Sequence, residues 1–227
     1  MKRTVFIASI LMSFSVYAKI VTGDKCGDNC SWTFDTESKT LTISGTGAIQ
    51  DYGEAYSGAN GIAERPWHSL SSEIENVVVE KGITGIGNRS FEFMGSLKTV
   101  RIDGDITTAG FGGLAHNPNL ESVVISGASL NYNEITINDT PKLKNFYCSK
   151  ENEAMCQAIL ENSQKTEAEI SNILKTYSQK GNRYIFDKTA YKSLSDLQEG
   201  IPVKRIYTLE EANAVAGDKN RVSIKYR

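Results

Sequence analysis

The sequence contains few of the residues on which metal and nucleophile chemistry depend. Its 227 residues include 2 His, 4 Cys and 4 Pro. This low Pro count, with 40% hydrophobic residues, excludes a collagen-like or low-complexity chain. The 25 basic and 27 acidic residues nearly cancel, so the chain has no general attraction to nucleic acid. The composition is that of a globular protein with one large or two small domains.

The first 18 residues predict a signal peptide. Met1-Lys2-Arg3 is a short basic start, an apolar run follows over residues 4–16, and Val16-Tyr17-Ala18 offers small residues for cleavage. A run of about 13 residues is shorter than the 20 or so that span a bilayer. No later stretch predicts a membrane span. A buried first strand or helix is the alternative, but the basic start favours export, so we expect a secreted, cell-surface or periplasmic protein.

The four cysteines predict disulfides. Cys26 and Cys30 are four residues apart, and Cys148 and Cys156 are eight apart. Of the three possible pairings, the two local ones need the least chain closure, and an oxidising compartment permits them. A zinc site and free thiols are the alternatives, but the second pair is too widely spaced for the common zinc patterns.

A period of 23 residues is the strongest signal. Similar hexads begin at Ile74, Leu97, Leu120 and Leu143, each 23 residues after the last. Their apolar positions 1, 4 and 6 have the spacing of leucine-rich repeats. In an extended strand, positions 4 and 6 face the interior. Positions 3 and 5, and the residue that directly follows the hexad (position 7), face outward. Position 2 alternates Glu75, Lys98, Glu121 and Lys144, which predicts cross-strand charge pairs that support the stack.

The outward position 5 supplies the candidate partner-binding residues: Val78, Arg101, Val124 and Tyr147. Arg and Tyr are enriched among residues that anchor protein interfaces. The alternative is that these outward residues are simply solvated and bind no partner. A face of four short strands is smaller than a standard interface, so we expect weak binding unless caps or self-association add to it.

The segment before the hexads resembles a known family. Cys26-Gly27, Ser31-Trp32-Thr33, residues 41–48, Asp51-Tyr52-Gly53 and Pro66-Trp67 look like the N-terminal segment of BspA-like leucine-rich-repeat proteins of bacterial surfaces. Residues 83–87, Ser90-Phe91 and 97–100 are similar to that family's repeat unit. The resemblance covers about residues 23–125. It implies a secreted or surface-displayed bacterial protein that binds other macromolecules, and no shared catalytic residues.

We therefore predict an α/β fold: a leucine-rich-repeat solenoid with parallel strands, an N-terminal β-hairpin cap and a C-terminal helical and then α+β tail. The predicted boundaries are a signal peptide (1–18), an N-terminal cap (19–73), repeats (74–150), a helical segment (151–182) and the tail (183–227). Helical spacing extends over residues 151–179, with a break at Asn162-Ser163. Residues 184–186, 203–207 and 221–227 predict strands, and 208–217 a helix.

Charge differs along the chain. Residues 19–174 contain 12 basic and 21 acidic residues, whereas residues 175–227 contain 11 basic and 6 acidic ones. A basic tail that folds against the acidic repeats is the simpler interpretation. A basic surface that faces an acidic polymer or lipid is the alternative.

No catalytic constellation is evident. Neither His68 nor His116 has a nucleophile at a recognised spacing, and Asp103-Gly104-Asp105 lacks the ordered ligands of a calcium loop. We therefore expect no enzyme activity, no cofactor and no metal. The predicted function is protein–protein recognition outside the cytoplasm by an adhesin-like or host-interacting protein. The alternative is a periplasmic structural or envelope-assembly component that docks through its C-terminal tail.

Overall fold

The computed structural model describes residues 19–53, 60–126, 137–187 and 189–202. The predicted signal peptide (1–18) and the strands and helix predicted over 203–227 lie outside these residues. Among the described helices, none has both the length and the apolar character needed to cross a bilayer.

The described chain is mostly β-structure with a few short helices. Two 3₁₀ turns accompany these elements, at His68–Leu70 and Lys150–Asn152. The strands are β1 (Ile20–Gly27), β2 (Asn29–Asp35), β3 (Thr40–Ala48), β4 (Asn76–Val79), β5 (Ile83–Ile86), β6 (Thr99–Ile102), β7 (Thr108–Ala109), β8 (Ser122–Ile125), β9 (Asn145–Ser149), β10 (Leu174–Lys180), β11 (Arg183–Phe186) and β12 (Thr189–Tyr191). The helices are α1 (Asn60–Ala63), α2 (Glu153–Asn162), α3 (Glu167–Ile173) and α4 (Leu194–Glu199).

Six strands form a parallel ribbon, in the order β3, β4, β6, β8, β9 and β10. Antiparallel strands continue it on both sides, with β1 and β2 before β3, and β11 and β12 after β10. From β4 to β9, paired residues are 23 apart, as in Asn76 with Thr99 and Ser122 with Asn145. The four hexads therefore lie side by side in one sheet, as the period predicts.

A second, shorter parallel ladder joins β3, β5 and β7. The chain leaves the ribbon after β4 through a turn at Gly82 and enters β5 at once. Gly82 has φ +100°, and a Cβ atom there would collide with the carbonyl oxygen of Gly45. The turn therefore requires glycine.

The hydrophobic core is built from the inward positions of the ribbon strands. Val77, Val79, Val100 and Ile102 have no exposed surface, as expected for positions 4 and 6 of the hexads. Burial of such a side chain contributes about 1.5–3 kcal/mol. Because each hexad repeats the pattern, the core continues along the stack.

The N-terminal hairpin covers the first edge of this core. β2 and β3 pair around a polar turn over residues 36–39. Trp32 and Trp67 are buried and meet edge to face, with ring centroids 6.3 Å apart. Trp67 also stacks on Phe91, with centroids 5.8 Å apart. Both tryptophans therefore serve packing.

The helical segment ends earlier than its spacing predicts. α2 and α3 are present, and Thr166 and Glu169 form a capping box at the start of α3. The prediction of a helix up to residue 179 is wrong, because Leu174–Lys180 is the strand β10. Leu174 pairs with Phe146 and Tyr177 with Ser149, so this segment satisfies the open edge of β9. The result is a mostly-sheet α/β structure with parallel strands, consistent with a leucine-rich-repeat-like fold.

Candidate recognition surface

One row of side chains crosses the outer side of the sheet from β1 to β10. We call it the outward row, and it is fixed by strand pairing, one residue per strand. Its members are Thr22, Thr33, Thr42, Val78, Arg101, Val124, Tyr147 and Lys175. Adjacent members are about 4.8 Å apart, the spacing of neighbouring strands. All four candidate partner-binding residues belong to this row.

The C-terminal part of the chain covers two of the eight members of the row, Val124 and Tyr147. β11, β12 and α4, here called the covering segment, fold back over β8 and β9. Val124 has no exposed surface and Tyr147 is 8% exposed, because Leu194, Leu197 and Tyr177 pack on them in a second apolar cluster. The ring of Tyr147 meets Phe186 edge to face at a centroid distance of 5.5 Å.

Hydrogen bonds fix the covering segment and its neighbour β10 on the ribbon. The Gln198 side-chain amide donates to Ser122 Oγ at 3.1 Å and to the Ser122 carbonyl at 3.3 Å. The Tyr177 hydroxyl donates to the carbonyl of Ile125 at 3.3 Å. Burial raises the pKa of the Tyr177 and Tyr147 hydroxyls above the ordinary value of tyrosine.

Lys175 joins the ribbon to the second cluster. Its Nζ donates to Asn145 Oδ1 at 2.6 Å and to the Lys144 carbonyl at 2.8 Å. The same Nζ lies 6.0 Å from the centre of the Tyr147 ring, within the range of a cation–π contact. Burial lowers the pKa of this ammonium below its ordinary value.

The structure therefore divides the four candidate residues into two pairs. The expectation of an open outward column is wrong for Val124 and Tyr147, because the covering segment seals them from solvent. Val78 and Arg101 remain partly exposed beside the covering segment. Arg101 Nε donates to Asp103 Oδ2 at 3.0 Å, which holds the guanidinium close to the sheet. The aromatic residues between 177 and 191 are the sequence signal that could have revealed the cover.

A ladder of alternating charges runs beside the row at position 2, as the sequence predicts, and begins one strand earlier. Glu75 accepts from both Lys39 and Lys98 at 2.5 Å, and Lys144 Nζ lies 2.6 Å from Glu121. Hydrogen bonds from Lys39 and Lys98 lower the pKa of the Glu75 carboxyl. Because these side chains are exposed, each pair contributes little to stability.

The two histidines occupy different settings. His68 is exposed on the 3₁₀ turn. His116 lies beside carboxylates of two neighbouring repeat units: its Nδ1 is 2.6 Å from Asp139 Oδ2 and its Nε2 is 3.8 Å from Glu92 Oε1. The His116 ring stacks on Phe93 at a centroid distance of 4.4 Å. Within the described ranges, His, Cys, Asp and Glu side chains form no group of three or more that could hold a metal ion.

Both local cysteine pairs are disulfide-bonded. Cys26 bonds to Cys30 beside the bend between β1 and β2, and Cys148 on β9 bonds to Cys156 on α2. All four residues are buried. The second bond ties the end of β9 to the helix that leads towards β10. Two disulfides fit a protein of an extracellular or periplasmic compartment.

Comparison with known proteins gives one structural likeness. No family model matches the sequence, and no curated protein matches it. A crystal structure of a leucine-rich repeat protein from Eubacterium ventriosum ATCC 27560 is similar, with 20% sequence identity and a TM-score of 0.42. The likeness covers 76% of this chain and 48% of that one, so the chain spans about half the length of that protein.

Proposed function

We propose that the chain is an exported leucine-rich-repeat protein that recognises a protein partner outside the cytoplasm. In this proposal residues 1–18 are a removable signal peptide, and the parallel strands form a short solenoid of the BspA-like type with the N-terminal hairpin as its cap. The partner-binding role is adhesin-like or host-interacting, and no catalysis is involved. The two disulfides and the 23-residue strand register support this proposal.

The uncovered part of the outward row, from β1 to β6, is the observation on which the proposal depends. Thr42, Val78 and Arg101 are partly exposed and lie on adjacent strands of a rigid sheet. Strand pairing on both sides already fixes the backbones of these residues. Binding of a partner would therefore cost little conformational entropy in this part of the chain. Thr22 and Thr33 extend this surface towards β1.

The size of the open surface predicts weak or transient binding. A standard interface buries about 800 Å² on each partner and uses about 20–30 residues a side. The covering segment removes the β8 and β9 positions from this surface. A tight complex would therefore need contacts beyond the row, whereas a transient adhesive contact would not.

The described tail is a poor candidate for the envelope-assembly role. The apolar side chains of α4 and the rings of β11 and β12 pack on the chain's own ribbon. Docking on another complex through these residues would require them to leave Val124 and Tyr147. We therefore place recognition on the outward row.

The experiment compares capture by matched variants. The mature protein is immobilised and exposed to host extract and to the cell's own envelope fraction, side by side. We expect a saturable protein partner that is lost in the double variant Val78→Glu, Arg101→Ala. The control Thr108→Glu, Lys142→Ala makes the same kinds of change at exposed positions away from the row and should capture normally. Equal capture by both folded variants would exclude the row as the binding site.

A further inference from the structure

The first strand of the sheet has one edge without a partner. β1 is the terminal strand, and within the described part of the chain it pairs with β2 alone. At the other end of the sheet, β12 is only three residues long. A short edge strand resists further pairing, whereas a longer edge is a template for an additional strand. β1 is eight residues long, so it is the edge on which another strand would fit.

Strand geometry identifies the backbone groups at this open edge. The Thr36 N–H donates to the Lys19 carbonyl at 3.2 Å, so these two residues face each other as a hydrogen-bonded pair. In antiparallel strands such pairs alternate with non-hydrogen-bonded ones, and the register with β2 continues unbroken along the next four residues. The N–H and C=O groups of Val21 therefore face β2, and those of Ile20 and Thr22 face away from it.

This part of the edge lacks the usual protections against pairing. The side chains of Ile20 to Gly23 include no charge and no proline, and the irregularity that interrupts β1 begins only after Gly23. Ile20 is 53% exposed, and Thr22 is exposed as well. Charged residues, proline and bulges are the means by which proteins keep edge strands apart. These residues are thus open to a further strand.

The edge is complementary to a second copy of itself. When two copies of β1 pair antiparallel about a two-fold axis at Val21, Ile20 of each copy lies opposite Thr22 of the other. Each of these two pairs exchanges two N–H···O=C bonds, which gives four in all. The Val21 side chains, which already pack against the core, meet as a non-hydrogen-bonded pair, where side chains lie closest. Lys19 lies opposite Gly23, so no like charges face each other.

Pairing of this kind enlarges the proposed recognition surface. Residues that lie opposite each other in a strand pair point to the same side of the sheet, so the outward rows of two copies continue across the two-fold axis. The uncovered row from β1 to β6 spans five strands, and the joined row spans ten. The small size of one row is what limits its binding. A second copy therefore supplies the surface that a single copy lacks.

We propose that two copies of this chain associate through β1 to form one continuous sheet. The contact involves only a few residues of each copy and is smaller than the 800 Å² or so per partner of a standard interface, so the dimer is weak and reversible. The pairing itself is independent of the proposed function, whereas its use to enlarge the outward row rests on that function.

Sedimentation equilibrium of the mature protein, with no partner present, tests the pairing. We expect the average mass to rise from monomer towards dimer as the protein concentration increases. Thr22→Pro removes an N–H that faces the open edge and leaves the bonds to β2 intact, so it should weaken dimerisation more than about tenfold while the monomer stays folded. Thr22→Ala keeps this N–H and should dimerise as the wild type does. Thermal unfolding confirms that both variants are folded.

Cysteine cross-linking tests the position of the two-fold axis. In the proposed pairing the two copies of residue 21 face each other with Cα atoms about 4.5 Å apart, within the range of a disulfide. The two copies of residue 20 are offset along the strands, and their Cα atoms are about 8 Å apart, too far for a disulfide. Val21→Cys should therefore form a disulfide-linked dimer under mild oxidation. Ile20→Cys, at a more exposed position, should not.

The possible contrary results are distinct. A monomer at every concentration would overturn the proposal, and would leave β1 to an extended segment of another protein or to residues 203–227 of the same chain. Unchanged association of Thr22→Pro would exclude β1 as the contact. Cross-linking of Ile20→Cys as readily as of Val21→Cys would contradict the two-fold pairing. Because no partner is present in these measurements, failure of the proposed recognition would leave their outcome unchanged.

Discussion

Leu197→Ala tests whether the covering segment is held on the ribbon by its apolar side chains. Leu197 is 1% exposed and belongs to the second cluster with Val124 and Tyr147. The substitution removes three carbon atoms, worth about 0.8 kcal/mol each, and leaves a cavity in addition. We expect the covering segment to lose about 3 kcal/mol of stability.

This loss should be local. The ribbon has its own core between the two ladders, and none of that core depends on α4. Opening of the covering segment should therefore become about a hundredfold more frequent while the ribbon stays folded. Hydrogen–deuterium exchange followed by mass spectrometry measures this directly. Exchange should accelerate over β11, β12 and α4 and remain unchanged in β4 and β6.

Ile201→Ala is the matched control, because Ile201 follows α4 closely but is 52% exposed. Its effect should stay within about 0.5 kcal/mol, as for other exposed positions. If Leu197→Ala leaves exchange of the segment unchanged, α4 is not held by the second cluster. If β4 and β6 accelerate equally, the cover and the ribbon form one cooperative unit and the reasoning fails.

Three further predictions concern the stack itself. The Asn117 side chain accepts from the Met94 amide and donates to two carbonyl oxygens, each at 2.8 Å. Asn117→Leu removes these three hydrogen bonds, so urea unfolding should show a free energy of unfolding lower by about 3–5 kcal/mol. A loss below about 1 kcal/mol would contradict this. Gly110→Ala forces a Cβ atom against the Asn88 backbone nitrogen and should lower the melting temperature clearly, whereas Gly95→Ala, with open space around it, should not. Glu75→Gln should lower the melting temperature only slightly at neutral pH, because its pairs with Lys39 and Lys98 are exposed. Hydrogen bonds lower the pKa of the Glu75 carboxyl in the folded protein. The contribution of Glu75 to the free energy of unfolding is therefore present above the unfolded-state pKa and is lost as the pH falls through the lowered, folded-state pKa. A difference in melting temperature between variant and wild type that persists in strong acid would contradict the assignment.

The ribbon could be predicted from the sequence because its signal is repeated. Each hexad places apolar residues at the same positions, so four weak patterns support one register. Ile74 and Leu97 are fully buried, as position 1 requires. The second ladder through β5 and β7 could not be predicted, because these strands are short and their pairing depends on how tightly the turn at Gly82 folds the chain back.

The misassigned strand shows where local pattern fails. Ile170, Ile173, Leu174 and Tyr177 fit helical spacing, yet only the first two belong to α3. From Leu174 onwards, pairing with β9 satisfies a row of backbone groups that a helix would have left open. Such a choice depends on the neighbouring strand, which a local window of sequence does not contain.

The candidate site was half predictable for a related reason. Position 5 of each hexad does face outward, and strand geometry alone gives that result. Whether an outward-facing residue is exposed to solvent depends on which other segments of the chain pack against it. For Tyr147 this is Phe186, almost forty residues away in sequence. Only the tertiary structure distinguishes Arg101, which is partly exposed, from Val124, which is buried.

The antiparallel strands on either side of the parallel ribbon have a consequence for how such a protein changes length. Inside the ribbon, every unit of 23 residues meets its neighbours through the same pairs. A duplicated unit placed between β6 and β8 would thus find matching partners on both sides and advance the stack by about 4.8 Å. The insertion would increase the distance between the two antiparallel ends and leave the local structure of each end, with its disulfide, the same. The length of the stack can therefore change during evolution without changes in the end segments.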